Sequence, residues 1–462
     1  MRTARIFATT LQVSAVLAVS GVACSDSTQE GHIVFYIDTD APLLSKPRDA
    51  PLDLRPPALF DKLRVEFFSP TDQEPCSSCV REFEAREDLF TNAASVTVRG
   101  NVDRVRVRLY RGMDLVDGDT SPQTTIDVVA RLPPVPAEGA VSVNVLLETV
   151  RVGSPNGTLN APTTASPGSI TRGHVGTWAP ARRTPCAGPA NKDEVCVPGG
   201  AFFMGSSRSS GDLLNLSPRL IVLSPFFLDA HEVTIGAIAD WAARTKKDPK
   251  SFLVLWDEQN APGTNFCTYG RPNRDLPVNC ILKSAALEYC HDQGKTLPTE
   301  AQFEYVASST KSSPFVWGRP PPKCGEAVWG VRPELLICPQ SSTGPIAWTD
   351  DTVRKLDRLP LRTGAILDLA GNLSEYVLDN VSVETDPCWQ LTNGGFLQDP
   401  LCTRENTRPD PRLEDTYATR GGSWNDESPE RLRSTVRGVT FAFSTAEPPA
   451  NSDVGFRCAR KP

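Results

Sequence analysis

Six runs in which apolar and polar residues alternate recur in the first third of the chain. They are IVFYID from Ile33, KLRVEFF from Lys62, ASVTVRG from Ala94, DRVRVRLY from Asp103, TTIDVVARL from Thr124 and AVSVNVLLETV from Ala140. A period of two places successive side chains on opposite faces of an extended chain, so each run predicts a half-buried β-strand. Burying six such faces calls for two facing sheets, and residues 24–152 are expected to form an all-β, sandwich-like domain. The Pro-rich stretch 41–57 breaks the pattern and predicts an extended loop. Residues 153–185 turn to Pro, Thr, Ser and Gly with few large apolar side chains, which is the composition of a linker.

Beyond residue 185 the period changes. HEVTIGAIADWAARTKK from His231 predicts a helix capped by Thr234, with Ile235, Ile238, Trp241 and Ala242 on one face. LPTEAQFEYVAS from Leu297 carries a capping box, Thr299 with Gln302, ahead of the apolar stripe Phe303, Val306 and Ala307. Between these helices lie many Gly, Pro and Asn residues and few long periodic runs. Residues 186–462 are therefore expected to form an α+β domain with much irregular backbone.

Composition narrows the compartment. Arg2 and Arg5 precede an apolar run from Ile6 to Val22, then Ala23 and Cys24, which predicts an export signal over residues 1–23. Gly21, Val22 and Ala23 before Cys24 resemble a bacterial lipoprotein box, although Gly21 departs from the usual Leu. Cys24 is then the expected lipidation site, and Ser25 after it resembles outer-membrane sorting, with the lipid as the expected membrane anchor. Of thirteen cysteines, a lipidated Cys24 leaves twelve, enough for six disulfides in an oxidising compartment. Short loops separate Cys186 from Cys196, Cys267 from Cys280, Cys324 from Cys338, and Cys388 from Cys402, although spacing alone leaves connectivity open. Cys76 and Cys79 form a CxxC with no βαβ context, second CxxC or nearby histidine pair, so a loop disulfide is expected there. A net charge of −7 over 462 residues, without basic clusters interleaved with aromatics, argues against nucleic acid as a partner.

Five ordered motifs carry a resemblance: VPGGAFFMGSS from Val197, SPFFLDAHEVTIGAIADW from Ser224, PVNCILKSAALEYCHDQGKTLPTEAQFEY from Pro277, LDLAGNLSEYVLD from Leu367, and VGFRCAR from Val454. With RGGSW from Arg420, they are similar to the formylglycine-generating enzyme family, also called sulfatase-modifying factors. The resemblance implies a C-type-lectin-like α+β fold over roughly residues 190–462 and a disulfide between Cys290 and Cys458. It also implies structural calcium in DLAGNLSEY, held by the carboxylates of Asp368 and Glu375 and the carbonyls of Gly371 and Leu373, hard ligands suited to that ion. Here SEY stands where the family usually has WEW.

The same resemblance exposes a gap. Active members carry two copper-binding cysteines in the strand after GGS, yet Ser423 to Asp453 contains none. Asn425, Asp426 and Glu427 surround the first position, and Glu430, Arg431 and Leu432 the second. Carboxylate and guanidinium are poor ligands for Cu(I). The related iron-dependent branch needs three histidines; the chain has His32, His174, His231 and His291, of which two lie outside the domain. Copper and iron are therefore not expected, and Arg433, Arg437 and Arg457 are explained by buried ion pairs at least as well as by ligand contact. Two readings follow. One is a non-catalytic, membrane-anchored lipoprotein that binds a peptide, glycan or partner protein; the other is an enzyme using Asp426, Glu427 and Glu430 to hold a harder metal or to act as acid and base.

Overall fold

The computed structural model of the chain describes residues 31–45, 54–75, 77–91, 94–99, 101–169, 173–207, 216–253, 266–331, 337–338, 344–352, 354–391, 395–405, 407, 416–441 and 451–462. These divide into two units: one drawn from 1–46, 60–110 and 126–177, the other from 47–59, 111–125 and 178–462. Cys24 and Cys76 lie outside the described residues, as do residues 46–53 of the Pro-rich stretch.

The first unit contains all six strands that the alternation predicts. Its elements are β1 (His32–Thr39), β2 (Lys62–Phe68), β3 (Val80–Glu84), the short helix α1 (Glu87–Thr91), β4 (Ser95–Val98), β5 (Arg104–Tyr110), β6 (Thr125–Arg131), β7 (Ala140–Leu147), β8 (Thr163–Thr164) and β9 (Ser166–Pro167). They form a four-stranded sheet in the order β4-β1-β7-β9 and a five-stranded sheet in the order β3-β2-β5-β6-β8. Ile33, Phe35 and Ile37 of β1 are buried while Val34 and Tyr36 between them are half-exposed, the period of two expressed as burial. Phe35 meets Phe67 of the other sheet edge-on, 6.5 Å between ring centres. The stretch 153–185, linker-like in composition, contributes two short strands: β8 pairs with the end of β6 and β9 with β7. Edge N–H and C=O groups need partners, and a stretch poor in apolar side chains can still supply backbone pairing. The loop between β5 and β6, residues 111–125, belongs by its contacts to the second unit.

The second unit is α+β, with small sheets and long irregular connections. Its strands are β10 (Glu194–Val197), β11 (Gly200–Met204), β12 (Arg219–Leu223), β13 (Phe226–Asp229), β14 (Arg358–Leu361), β15 (Gly364–Leu367), β16 (Ser374–Asn380), β17 (Phe396–Gln398), β18 (Thr416–Arg420), β19 (Arg437–Phe441), β20 (Val454–Gly455) and β21 (Ala459–Arg460). The sheet that carries the site has the order β19-β18-β16-β20. Helices α2 (Ile235–Thr245), α3 (Lys283–Asp292) and α4 (Glu300–Ala307) pack around these strands. Thr234 caps α2 by accepting from the Ala237 amide at 3.2 Å. The capping box of α4 is complete: the Thr299 hydroxyl accepts from the Gln302 amide, and the Gln302 side chain accepts from the Thr299 amide.

Five disulfides staple this unit: Cys186–Cys196, Cys267–Cys280, Cys290–Cys458, Cys324–Cys338 and Cys388–Cys402. Four close short loops. The fifth spans 168 residues and ties α3 to the last strand region. Restricting so long an unfolded loop contributes about 5 kcal/mol in the chain-entropy model. Replacing both Cys290 and Cys458 by Ala is expected to lower the melting temperature by on the order of ten degrees, measured by calorimetry, whereas an unchanged transition would show the bridge to be energetically idle.

Candidate functional site

The segment after β18 is shaped by two glycines. Gly421 (φ +99°) and Gly422 (φ +70°) both take left-handed conformations, and a Cβ on Gly422 would stand 2.7 Å from Leu432 Cδ2 and 2.9 Å from the Arg431 carbonyl oxygen. Past this turn the Ser423 amide donates to Asp426 Oδ2 at 2.6 Å, and Ser428 caps a short 3₁₀ turn over Pro429–Leu432. Arg420, fully buried, pins the returning chain. Its Nη1 donates to the carbonyls of Thr435 and Val436 at 3.2 and 2.9 Å, and its Nη2 to that of Ser434 at 2.9 Å and to the Glu304 carboxylate.

A cavity of about 250 Å³ opens here, lined by Ser374, Thr419, Ser423, Asp426, Arg431 and Asn451 among others. Ser374 stands where the family's WEW has its first aromatic. Near the two positions that carry cysteines in active relatives, the structure places Asp426 and Arg431, with Nε 3.5 Å from Oδ1. Trp424 is buried: its Nε1 donates to the Ser452 carbonyl at 3.1 Å and its ring tilts against Phe266. Nor do the three acidic residues act as one group, because Asp426 faces Ser423 and Arg431 while Glu430 pairs with Arg433. Every cysteine among the described residues is disulfide-bonded.

The histidines do not converge. His174 pairs with Asp38 in the first unit at 2.6 Å, and His231 stacks on Trp348 with ring centres 4.6 Å apart. Among the described residues no group of three His, Cys, Asp or Glu is placed to hold a metal ion.

The turn expected to hold calcium is built as predicted but occupied differently. Gly371 adopts φ +114°, and a Cβ there would meet the Val328 carbonyl oxygen at 2.4 Å. Glu375 spends both oxygens on Arg457, accepting from Nε at 2.9 and 2.8 Å and from Nη2 at 2.6 Å. Asp368 accepts from Arg354 Nη1 through Oδ2, while its Oδ1 accepts no hydrogen bond. The set Asp368, Gly371, Leu373 and Glu375 therefore does not fit calcium, an ion that needs six to eight oxygens and gains most from free carboxylates. Guanidiniums stand where the cation's charge was expected. Sequence reasoning missed Arg354, whose motif-free surroundings gave no signal, and two further buried acids. Glu232 accepts from the Leu373 amide and the Asn372 side chain, and Asp357 from the amides of Leu369 and Ala370. Burial, then the nearby Asp368, pushes Asp357 up to about 7. Burial, then Asp368 and Glu375, pushes Glu232 well above the usual carboxylate range. Four carboxyls thus share two guanidiniums, and burial with mutual repulsion favours the neutral form of Asp357 and Glu232.

Added calcium or a chelator is expected to leave the melting temperature unchanged. Arg457→Met, which strands Glu375 in the interior, is expected to cost about 3–5 kcal/mol in denaturant unfolding. A melting temperature that falls on chelation would return calcium to this turn.

Comparison with known proteins agrees with the motif order. Residues 182–462 match the family described as "Sulfatase-modifying factor enzyme 1-like domain". The formylglycine-generating enzyme of Mycobacterium tuberculosis is 23% identical over 318 residues, covering 58% of this chain and 97% of that protein. The mouse protein named "Inactive C-alpha-formylglycine-generating enzyme 2" is 21% identical over 57% of this chain and 84% of its own length. Among solved structures, PvdO from Pseudomonas aeruginosa aligns over 59% of this chain and 96% of its own, at 18% identity and a TM-score of 0.38. Through residues 182–462, the chain belongs to the sulfatase-modifying factor family, that of the formylglycine-generating enzymes.

Proposed function

We propose that the protein is a non-catalytic member of its family, exported and lipid-anchored at Cys24, whose second unit binds a hydrogen-bonding ligand such as a peptide or glycan. The observation that carries this reading is the Asp426–Arg431 pair at the place of the family's thiols. An oxidase of this kind needs soft thiolates to hold Cu(I), and a carboxylate facing a guanidinium offers neither a ligand for that ion nor a nucleophilic sulfur. The described cysteines are all committed to disulfides, which removes nearby substitutes. The cavity beside the pair keeps hydroxyl, amide and charged groups, a lining suited to recognition by hydrogen bonds. A mouse relative whose name calls it inactive makes a non-catalytic member of the family unexceptional.

Purified protein incubated with copper, oxygen and a cysteine-containing sulfatase-type peptide is expected to yield no formylglycine by mass spectrometry; turnover would replace this reading with an enzymatic one. Anchoring is tested separately. Cys24→Ala is expected to move the protein from the membrane to the soluble fraction or to block its processing, and a wild-type protein already soluble with an unmodified N-terminus would remove the anchor from the proposal.

A further inference from the structure

A second cavity, of about 260 Å³, lies on the other side of the segment that follows Arg431. Its walls come from Arg111–Asp114, Phe203–Ser206, the loop after α4 and Arg433–Thr435, all within the second unit. The size suits a small molecule rather than a drug-sized one.

The charges around it are unevenly matched. Arg111 pairs with Asp114 at 3.0 Å and lies over the Phe203 ring. Glu304 is neutralised by Arg420 and accepts from the Gly205 amide at 2.7 Å. Arg433 pairs with Glu430 and lies over the Phe315 ring. Arg319, at the mouth, is exposed and has no acidic partner among the described residues. One positive charge is therefore left over, and it faces hydroxyls. Ser312 Oγ accepts from the Phe203 amide at 2.8 Å, which leaves its own hydrogen to donate, and Ser313 and Thr435 stand beside it.

The loop that presents these hydroxyls is held in an unusual shape. Ser309, Thr310 and Ser312 have φ of 58°, 54° and 56°, a region that a β-branched residue such as Thr310 rarely enters. Arg183 Nη2 fixes it by donating to the Thr310 carbonyl at 2.5 Å and to its hydroxyl at 2.7 Å. Backbone held in such regions by its surroundings clusters at ligand sites.

We propose that this cavity binds the oxyanion of a small ligand, a carboxylate or a phosphate group, with Arg319 and Arg433 supplying guanidinium forks and Ser312, Ser313 and Thr435 supplying hydroxyl donors. Planar forks with adjacent hydroxyls match both anions, since each offers paired oxygens to parallel N–H donors. The site is independent of the cavity beside Asp426, so either assignment can fail without the other.

The test is calorimetric titration of the full exported chain with inorganic phosphate and, separately, with succinate, at constant ionic strength set by sodium chloride. Saturable binding of phosphate alone identifies a phosphate-type ligand, and of succinate alone a carboxylate. Arg319→Gln is expected to weaken whichever binds at least tenfold, and Arg433→Gln likewise, while Arg431→Gln in the first cavity leaves it unchanged. Binding of neither anion, or equal binding by Arg319→Gln and wild type, overturns the proposal.

Discussion

The second unit depends on one buried guanidinium. Arg457, just before the last strand, holds both oxygens of Glu375 and donates to the carbonyls of Leu367 and Asp368 at 2.9 Å each. It thereby joins the chain's end to the end of β15, the tight turn and the start of β16. An irregular backbone cannot satisfy its own polar groups as helices and sheets do, so a fixed multi-donor side chain must do it. Arg is suited to this task because five donors sit in one rigid plane. The desolvation of such a pair is costly, which makes it poor evidence of net stabilisation, but removing either partner leaves an unmatched charge in the interior. The Cys290–Cys458 bridge lies one residue away and fixes the same chain end covalently.

A second buried arginine does comparable work at the candidate site. Arg420 ties three successive carbonyls, Ser434, Thr435 and Val436, to Glu304 of α4. Where the excursion from Gly421 to Val436 returns, it is thus held by groups outside the two positions that bear chemistry in active relatives. This separation explains how the scaffold can be kept while the thiols are absent. Asp426 in fact serves the scaffold, since its carboxylate accepts from the Ser423 amide and closes the turn.

Much of this was legible in the sequence, and the failures share a cause. Strands β1 and β5 follow from alternation because one face is buried and the other is not; the caps at Thr234 and Thr299 follow from local chemistry that acts over three residues. Motif order carried the family and the Cys290–Cys458 pair. What sequence did not carry was partner choice over long distances. Asp368 and Glu375 have the right atoms for calcium, but nothing local announces that Arg354 and Arg457 reach them first. The strands at Thr163 and Ser166 escaped notice because backbone pairing at a sheet edge makes little demand on side-chain type.

The two cavities share a wall, and that wall sets what each can recognise. Arg431 and Val436 face one, whereas Arg433, Ser434 and Thr435 face the other. Between them stands the Arg420–Glu304 pair, in which Arg420 borders the first cavity and Glu304 the second. Because these two charges offset one another inside the protein, neither imposes a strong field on its cavity. The potential at each opening is then set by the groups nearest its mouth: Asp426, Asp453 and Arg431 on one side, two carboxylates to one guanidinium, and Arg319 with the Arg433–Glu430 pair on the other, which leaves an excess positive charge. Ligands that bring hydrogen-bond donors suit the first environment and anions the second, so one segment presents two surfaces of different chemical preference.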